Sequence, residues 1–289
     1  MASGRAAARV ALAGNPSDGY GGRTLAVCVP RWTAEAVVEQ GPPERGRPAL
    51  VAAAVGRFAP LTGCDCGPVT IELRSSIPRE VGLGGSSAIV IATLRALAQH
   101  AGLELDPMEL AAAALAAEVE DLGIAAGPQD RIVQSLGGLV AMDFSTGRHE
   151  RLEARLLPPL FVAHRTAGEH SGVVHGSLRD RWDAGDRTVR AGMRELAGLA
   201  AAARDALAGG DAAAFGACMD ASFDARARMI ELDQRDVRLV EIARAHGAPV
   251  NYAGSGGAVV GVLTPDSDVA ALRADYEPAG ARLVELELN

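Results

Sequence analysis

The sequence predicts an α+β protein built as two lobes, with a seam near residue 155. Three observations predict it. The 289 residues, 48% hydrophobic and 22% charged, supply enough apolar surface for the cores of one or two domains. Up to Phe144, strand-type runs alternate with Ala-rich helical runs. From residue 177 to 246 the pattern is almost wholly helical, and a strand–turn–strand segment, a helix and a strand close the chain.

The elements follow in order. Residues 9–14 read as a buried strand ending in a turn and residues 23–30 as a second strand, together an early hairpin-like unit. After the Gly41-Pro42-Pro43 loop, residues 49–55 fit either type. Residues 69–73 alternate as a half-buried strand. A Gly-rich turn leads into a helix over 86–101; further helices are expected at 110–119 and from 130 to 136, and a strand at 139–144. In the second lobe, residues 156–163 form an apolar strand interrupted by Pro158 and Pro159. Strands at 250–252 and 258–263, a helix at 266–276 and a strand at 282–288 complete the reading.

The formal charge is 28 − 36 = −8, without a basic block, which argues against a nucleic-acid binder or a protein held on anionic lipid. All 28 basic residues are Arg, so any mechanism that needs a lysine is excluded. Cys28, Cys64, Cys66 and Cys218 are too few for a disulfide scaffold, and Cys64-Asp65-Cys66 lacks the second ligand pair of a metal site. Residues 1–12 are Ala/Arg-rich but lack the apolar stretch of a targeting segment, and no run reaches the ~20 apolar residues of a membrane span. The expectation is a soluble, cytoplasmic monomer or homodimer.

Pro78-Arg79-Glu80-Val81-Gly82-Leu83-Gly84-Gly85-Ser86-Ser87-Ala88 is the most informative segment. Glycines allow a tight turn with amides facing inward, and the helix that follows aims its unpaired N-terminal amides and positive dipole end into the turn. A phosphate is the natural occupant, with a Ser hydroxyl available to a magnesium ion. The competing reading is a Gly-rich turn with Ser86 or Ser87 as N-cap. The segment is neither a Walker loop nor a dinucleotide fingerprint.

Pro-x-x-x-Gly-Leu-Gly-Gly-Ser-Ser-Ala resembles the phosphate-binding motif of the GHMP kinases. Residues 9–18, from Arg9 through Asn15 to Asp18, are similar to that family's opening segment, and Asn251-Tyr252-Ala253-Gly254-Ser255-Gly256-Gly257-Ala258 to its third, Gly-rich motif. Within the family, Gly14-Asn15-Pro16-Ser17-Asp18, Ile77-Pro78-Arg79, residues 123–131 and Ser222-Phe223-Asp224-Ala225-Arg226 resemble plant glucuronokinases. The resemblance implies a two-lobed GHMP kinase fold: an N-terminal lobe over 1–155, similar to domain 2 of ribosomal protein S5, and a ferredoxin-like α+β lobe over 156–289. It implies ATP and Mg²⁺ as cofactors and a small sugar as acceptor, with the anomeric hydroxyl of D-glucuronic acid first. Another sugar (galactose, arabinose or a heptose phosphate), a small alcohol, or a catalytically silent nucleotide- or sugar-binding sensor are the alternatives.

The resemblance also implies site residues. Pro78, Gly82, Leu83, Gly84, Gly85, Ser86, Ser87 and Ala88 would hold the nucleotide phosphates. Trp32, just after the second strand, would lie beside the adenine or serve as a core aromatic. Asp130 matches the catalytic aspartate, against a plain first-turn or N-cap role. Arg9 would stand in for the lysine that other members use. Glu118, with Glu120 as rival, and Ser86, with Ser87 as rival, would ligate Mg²⁺. Asn15 and Asp18, with Gly254, Ser255, Gly256 and Gly257, would contact the sugar, as would Ser171, Gly172 and His175 in a second-lobe loop. A uronate carboxylate calls for an arginine, with Arg23, Arg131 and Arg79 as candidates. The Arg226/Arg228 pair fits either a site or a solvated helix face.

Overall fold

A computed structural model describes residues 1–166 and 173–288. The chain divides into two compact units that interleave along the sequence. The first comprises residues 1–9, 28–77 and 84–137, the second residues 10–27, 78–83 and 138–289.

The first unit holds the opening residues of β1 (Ala2–Ala13), the C-terminal half of its neighbour β2 (Arg23–Gln40), and β3 (Val69–Ser75). β2 and β3 run antiparallel with Ala34 opposite Ser75 and Gln40 opposite Val69. Both early strands extend beyond the expected bounds. β2 continues because Trp32, Ala34, Ala36 and Val38 keep a buried alternation, so Trp32 lies within the strand and not after it. β1 begins at Ala2 although residues 2–9 contain no β-branched side chain. Its Gly4 lets the strand approach a helix so closely that an added Cβ would lie 2.2 Å from the Ala92 carbonyl oxygen.

The ambiguous stretch near residue 50 is helix α1 (Ala49–Thr62), which packs on α2 (Gly85–Ala101). α3 (Pro107–Ala116) runs into a π-helical turn (Ala117–Asp121), and α4 (Gln129–Leu136) ends the unit. α2 is buried along most of its length, from Ala88 to Ala98, as expected of a central helix hydrophobic nearly all round.

In the second unit, the N-terminal half of β2 pairs antiparallel with β4 (Leu139–Asp143), and β4 with β5 (Arg148–Leu152). β5, Arg-His-Glu-Arg-Leu, was not expected because its mostly polar sequence carries no buried-face signal. A four-stranded sheet of order β7-β8-β6-β9 uses β6 (Leu160–Arg165), which starts after the two prolines. Helices α5 (Val173–Asp183), α6 (Arg187–Ala208), α7 (Ala212–Met229) and α8 (Gln234–Ala245) fill the long helical stretch. β7 (Val250–Tyr252), β8 (Ala258–Val262), α9 (Val269–Tyr276) and β9 (Ala281–Glu285) follow. Phe161, Val259 and Leu283 of the sheet pack with Phe223, Leu239 and Tyr276 of the helices to form a core of this unit. Among the described residues, no helix is long and apolar enough to cross a membrane, and no group of His, Cys, Asp and Glu is placed to hold a metal by itself.

Candidate active site

Among the described residues, five helices, α3, α6, α7, α8 and α9, carry an Asp N-cap that accepts from first-turn amides. The start of α2 is different. Its N-cap is Gly84, in the left-handed region at φ 73°, and no side chain caps it. Ser86 and Ser87 lie inside the first turn, which rules out the competing reading of either as N-cap. Leu83 and Ala88 are fully buried and anchor the ends of the turn, while Pro78, Gly82, Gly85 and Ser86 are part-exposed.

The two serines face different tasks. Ser87 is buried; its Oγ lies 2.6 Å from Gln134 Oε1, to which it donates, and 3.1 Å from the Gly84 carbonyl. Gln134 Nε2 in turn donates to the carbonyls of Ala7 at 2.7 Å and Gly84 at 2.9 Å. Gln134, which the sequence reading missed, therefore ties β1, the glycine turn and α4 together. Its only sequence signal was a polar residue four positions after Asp130 on a short helix. The Ser86 hydroxyl makes no hydrogen bond among the described residues.

Beside Gly84 stands Arg9. A Cβ on Gly84 would lie 3.0 Å from Arg9 Cγ and 3.0 Å from Gln134 Nε2. Arg9 is 4% exposed and grips Asp130 with two bonds, Nε to Oδ1 at 2.5 Å and Nη2 to Oδ2 at 2.5 Å. Asp130 is the second residue of α4, whose N-cap is Pro128, and the Asp130 side chain caps nothing. Burial alone would push its carboxyl up. The Arg9 charge and hydrogen bonds outweigh burial, with help from Arg131 and Gln129, and hold it below the usual carboxylate value.

A second pair adjoins the first. Arg131, 3% exposed, donates from Nε to Glu118 Oε2 at 2.6 Å and from Nη1 to the Gly127 carbonyl at 2.8 Å, with Nη1 3.8 Å from Asp130 Oδ2. Glu118 is fully buried, and its Oε1 has no hydrogen-bond partner. Glu120 is exposed and paired with Arg57. The structure thus brings Gly84, Arg9, Asp130, Arg131 and Glu118 into one connected group within the first unit. Trp32, also in this unit, is 9% exposed.

In the second unit two glycine turns meet. A Cβ on Gly82 would lie 2.6 Å from the Gly256 carbonyl oxygen, and one on Gly257 would lie 2.7 Å from Val81 Cα. Gly256 and Gly257 have φ of 137° and 81°, and the Gly257 amide donates to Asp236 Oδ2 at 2.9 Å. Burial raises the Asp236 carboxyl above its ordinary value, although Arg165 stands 3.1 Å away. Arg226 is buried, against the solvated-face alternative. It donates to the carbonyls of Gly254 at 2.7 Å and Ser255 at 3.3 Å, with its guanidinium over the Tyr252 ring. Arg228 is exposed and paired with Glu195. Asn15, preceding a cis peptide at Pro16, is 7% exposed and donates from Nδ2 to the Gly254 carbonyl at 3.3 Å, leaving its Oδ1 buried without a partner. Asp18 is 9% exposed in the short helical turn Ser17–Tyr20.

Of the arginines named for a substrate carboxylate, Arg131 lies within the carboxylate group just described and Arg23 pairs with Asp143 at 2.7 Å. Arg79 is exposed and makes no ion pair among the described residues. Ser171 and Gly172 lie outside the described residues, as does the side chain of His175 on α5.

Comparison with known proteins bears on this arrangement. Residues 49–138 match the GHMP kinases N terminal domain. Glucuronokinase 1 of Arabidopsis thaliana is 36% identical over 233 residues, 76% of this chain, and probable glucuronokinase 2 of the same plant is 39% identical over 215 residues, 68% of this chain. The chain spans 64% and 57% of the length of these two curated relatives. Among solved structures, Lactococcus lactis galactokinase complexed with galactose superposes with a TM-score of 0.83 at 16% identity, covering 99% of this chain and 93% of that one. Methanococcus jannaschii mevalonate kinase gives 0.79 at 16% identity, covering 99% and 98%. The fold is that of these kinases.

Proposed function

Because the chain belongs to the GHMP kinase superfamily, we propose that it is an ATP-dependent sugar kinase that phosphorylates the anomeric hydroxyl of D-glucuronic acid, giving D-glucuronate 1-phosphate and ADP. The observation that carries the reading is the Arg9–Asp130 pair set directly against Gly84 at an uncapped helix mouth.

Phosphoryl transfer needs chiefly positioning and charge stabilisation. The amides of the 82–87 turn and the α2 dipole would receive the triphosphate. The sugar hydroxyl attacks the γ-phosphorus, the bond to the ADP oxygen breaks, and the hydroxyl proton passes to Asp130. Since Arg9 holds Asp130 below the usual carboxylate value, Asp130 is ionised at neutral pH and a weak base. It orients the hydroxyl and takes the proton as the new bond forms, not before. Arg9 is permanently charged and cannot take that proton; it stabilises the charge that develops on the transferring group. The donors present fit Mg²⁺: a buried, partnerless Glu118 oxygen and the uncommitted Ser86 hydroxyl would hold it. When bound, the ion supplies neutralisation of phosphate charge. Asp18 and Asn15 would hold sugar hydroxyls, and Arg79, which alone of the three candidate arginines meets no carboxylate among the described residues, would face the C6 carboxylate.

The test is ADP release across a panel of uronates, neutral sugars and small alcohols. D-Glucuronate should give the highest kcat/KM, and Asp130→Asn should cut kcat by about 10³-fold with nucleotide affinity nearly intact. Unchanged turnover would remove Asp130 from the chemistry. Val173 stands where the resembling plant enzymes tend to carry Lys, so turnover confined to another sugar would keep the kinase and move the acceptor. Nucleotide binding without turnover on any member of the panel would leave a sensor.

A further inference from the structure

The first unit carries a cavity of about 210 Å³ at the end of α4 remote from Asp130. One wall is apolar, formed by Ala98, Leu103, Leu105, Pro107 and Leu110. The remaining lining residues all offer donors. Arg95 gives Nη1 to the Arg5 carbonyl at 2.7 Å and Nη2 to the carbonyls of Gln134 and Ser135 at 3.2 and 2.9 Å, and it meets no carboxylate among the described residues. Ser135 is 6% exposed and its hydroxyl has no hydrogen-bond partner. Gln99 uses its Oε1 to accept from the Ser3 amide at 2.5 Å, which leaves its amide NH₂ available. No acidic side chain lines the cavity.

We infer that this cavity is a binding site for a small carboxylate on a short apolar chain. An arginine keeps its charge in any surroundings, and burial without a counter-charge makes an incoming anion favourable. A carboxylate matches the planar guanidinium, and the leucine and proline wall covers an apolar body. A cavity of about 150 Å³ accepts a benzene-sized molecule, so a six-carbon chain fits the room available here. Inorganic phosphate supplies the charge but leaves the wall wet. Arg95 also holds the last carbonyls of α4, the helix that carries Asp130 and Gln134, so an anion drawing on its guanidinium acts on the helix that braces the phosphate turn.

The test is an NMR titration of the full chain with hexanoate, hexan-1-ol and inorganic phosphate, followed at the methyls of Leu103, Leu105 and Leu110. Hexanoate should saturate with shifts confined to those methyls and bind about tenfold or more tightly than hexan-1-ol, the margin of a charge-assisted contact. Arg95→Gln risks unfastening α4. Gln99→Glu keeps the acceptor for the Ser3 amide while adding a negative charge, and it should weaken hexanoate by a similar factor. Equal binding of the alcohol, no saturable shift, displacement of hexanoate by phosphate, or an unaffected Gln99→Glu protein would each overturn the inference. The readout is binding and not turnover, so its outcome is separate from that of the kinase reading.

Discussion

Ser86 and Ser87 are neighbours in sequence and hydroxyls in kind, yet their surroundings divide them. Ser87 is enclosed and bonded to Gln134, whereas the Ser86 hydroxyl is part-exposed and uncommitted. Ser87→Ala should therefore lower stability by about 1–2 kcal/mol, because it leaves a buried Gln134 oxygen unpaired. Ser86→Ala should change stability by less than about 0.5 kcal/mol. It should raise the Mg²⁺ concentration needed for half-maximal turnover. Urea midpoints and a Mg²⁺ titration of ADP release separate the two, and a reversed pattern would exchange the assignments. The sequence named both serines but could not rank them, since what ranks them is a glutamine 47 residues further along. Arg9 and Asp130 were likewise each named, but the bond between residues 121 positions apart leaves no trace in local spacing.

At the scale of elements, the π-helical turn after α3 explains why the choice between Glu118 and Glu120 stayed open in the sequence. Helical periodicity assumes 3.6 residues per turn, and a π turn breaks that register where the acids lie. The result is one carboxylate turned fully inward against Arg131 and the other outward against Arg57. Glu118→Gln should destabilise the protein by about 3 kcal/mol, because it leaves the buried Arg131 with only the more distant Asp130 carboxylate, 3.8 Å away, to balance its charge. Glu120→Gln should cost no more than about 0.5 kcal/mol. Equal urea midpoints for the two variants would contradict the observed burial. The helices with strong local signals were legible: α2 with its glycine entry, α4 after its Gly-Pro turn, and α6 to α8 by composition. The full length of β1, the polar strand β5 and the helical choice for α1 were not, since tertiary contacts decide them and not local preference.

For the molecule as a whole, the buried and paired carboxylates set the response to pH. Asp130 is held low against its burial by Arg9; Asp143 is held low by Ser145 and Arg23, and Asp233 falls to about 2, chiefly through Arg235. A carboxyl whose folded value lies below its unfolded value stabilises the fold above the unfolded value, and that contribution is lost as pH falls through the folded one. Asp220 and Asp236, raised by burial, act in the opposite sense and weaken the fold once ionised. Urea midpoints should thus change little between about pH 6 and 8 and fall below about pH 4, and Asp130 should add no acid limb to the turnover profile between about pH 5 and 8. An acid limb in that window that disappears in Asp130→Asn would show that Arg9 does not govern the carboxylate.

The backbone contact between the turn at Val81-Gly82 and the turn at Gly256-Gly257 has a consequence for anyone seeking to reshape acceptor preference. Neither Gly82 nor Gly257 can gain a side chain without displacing the main chain of the opposite turn, so libraries that randomise either glycine while freezing that turn should return mostly misfolded clones. New specificities are reached by redesigning the two together, or by working at positions such as Arg79, where there is room to vary.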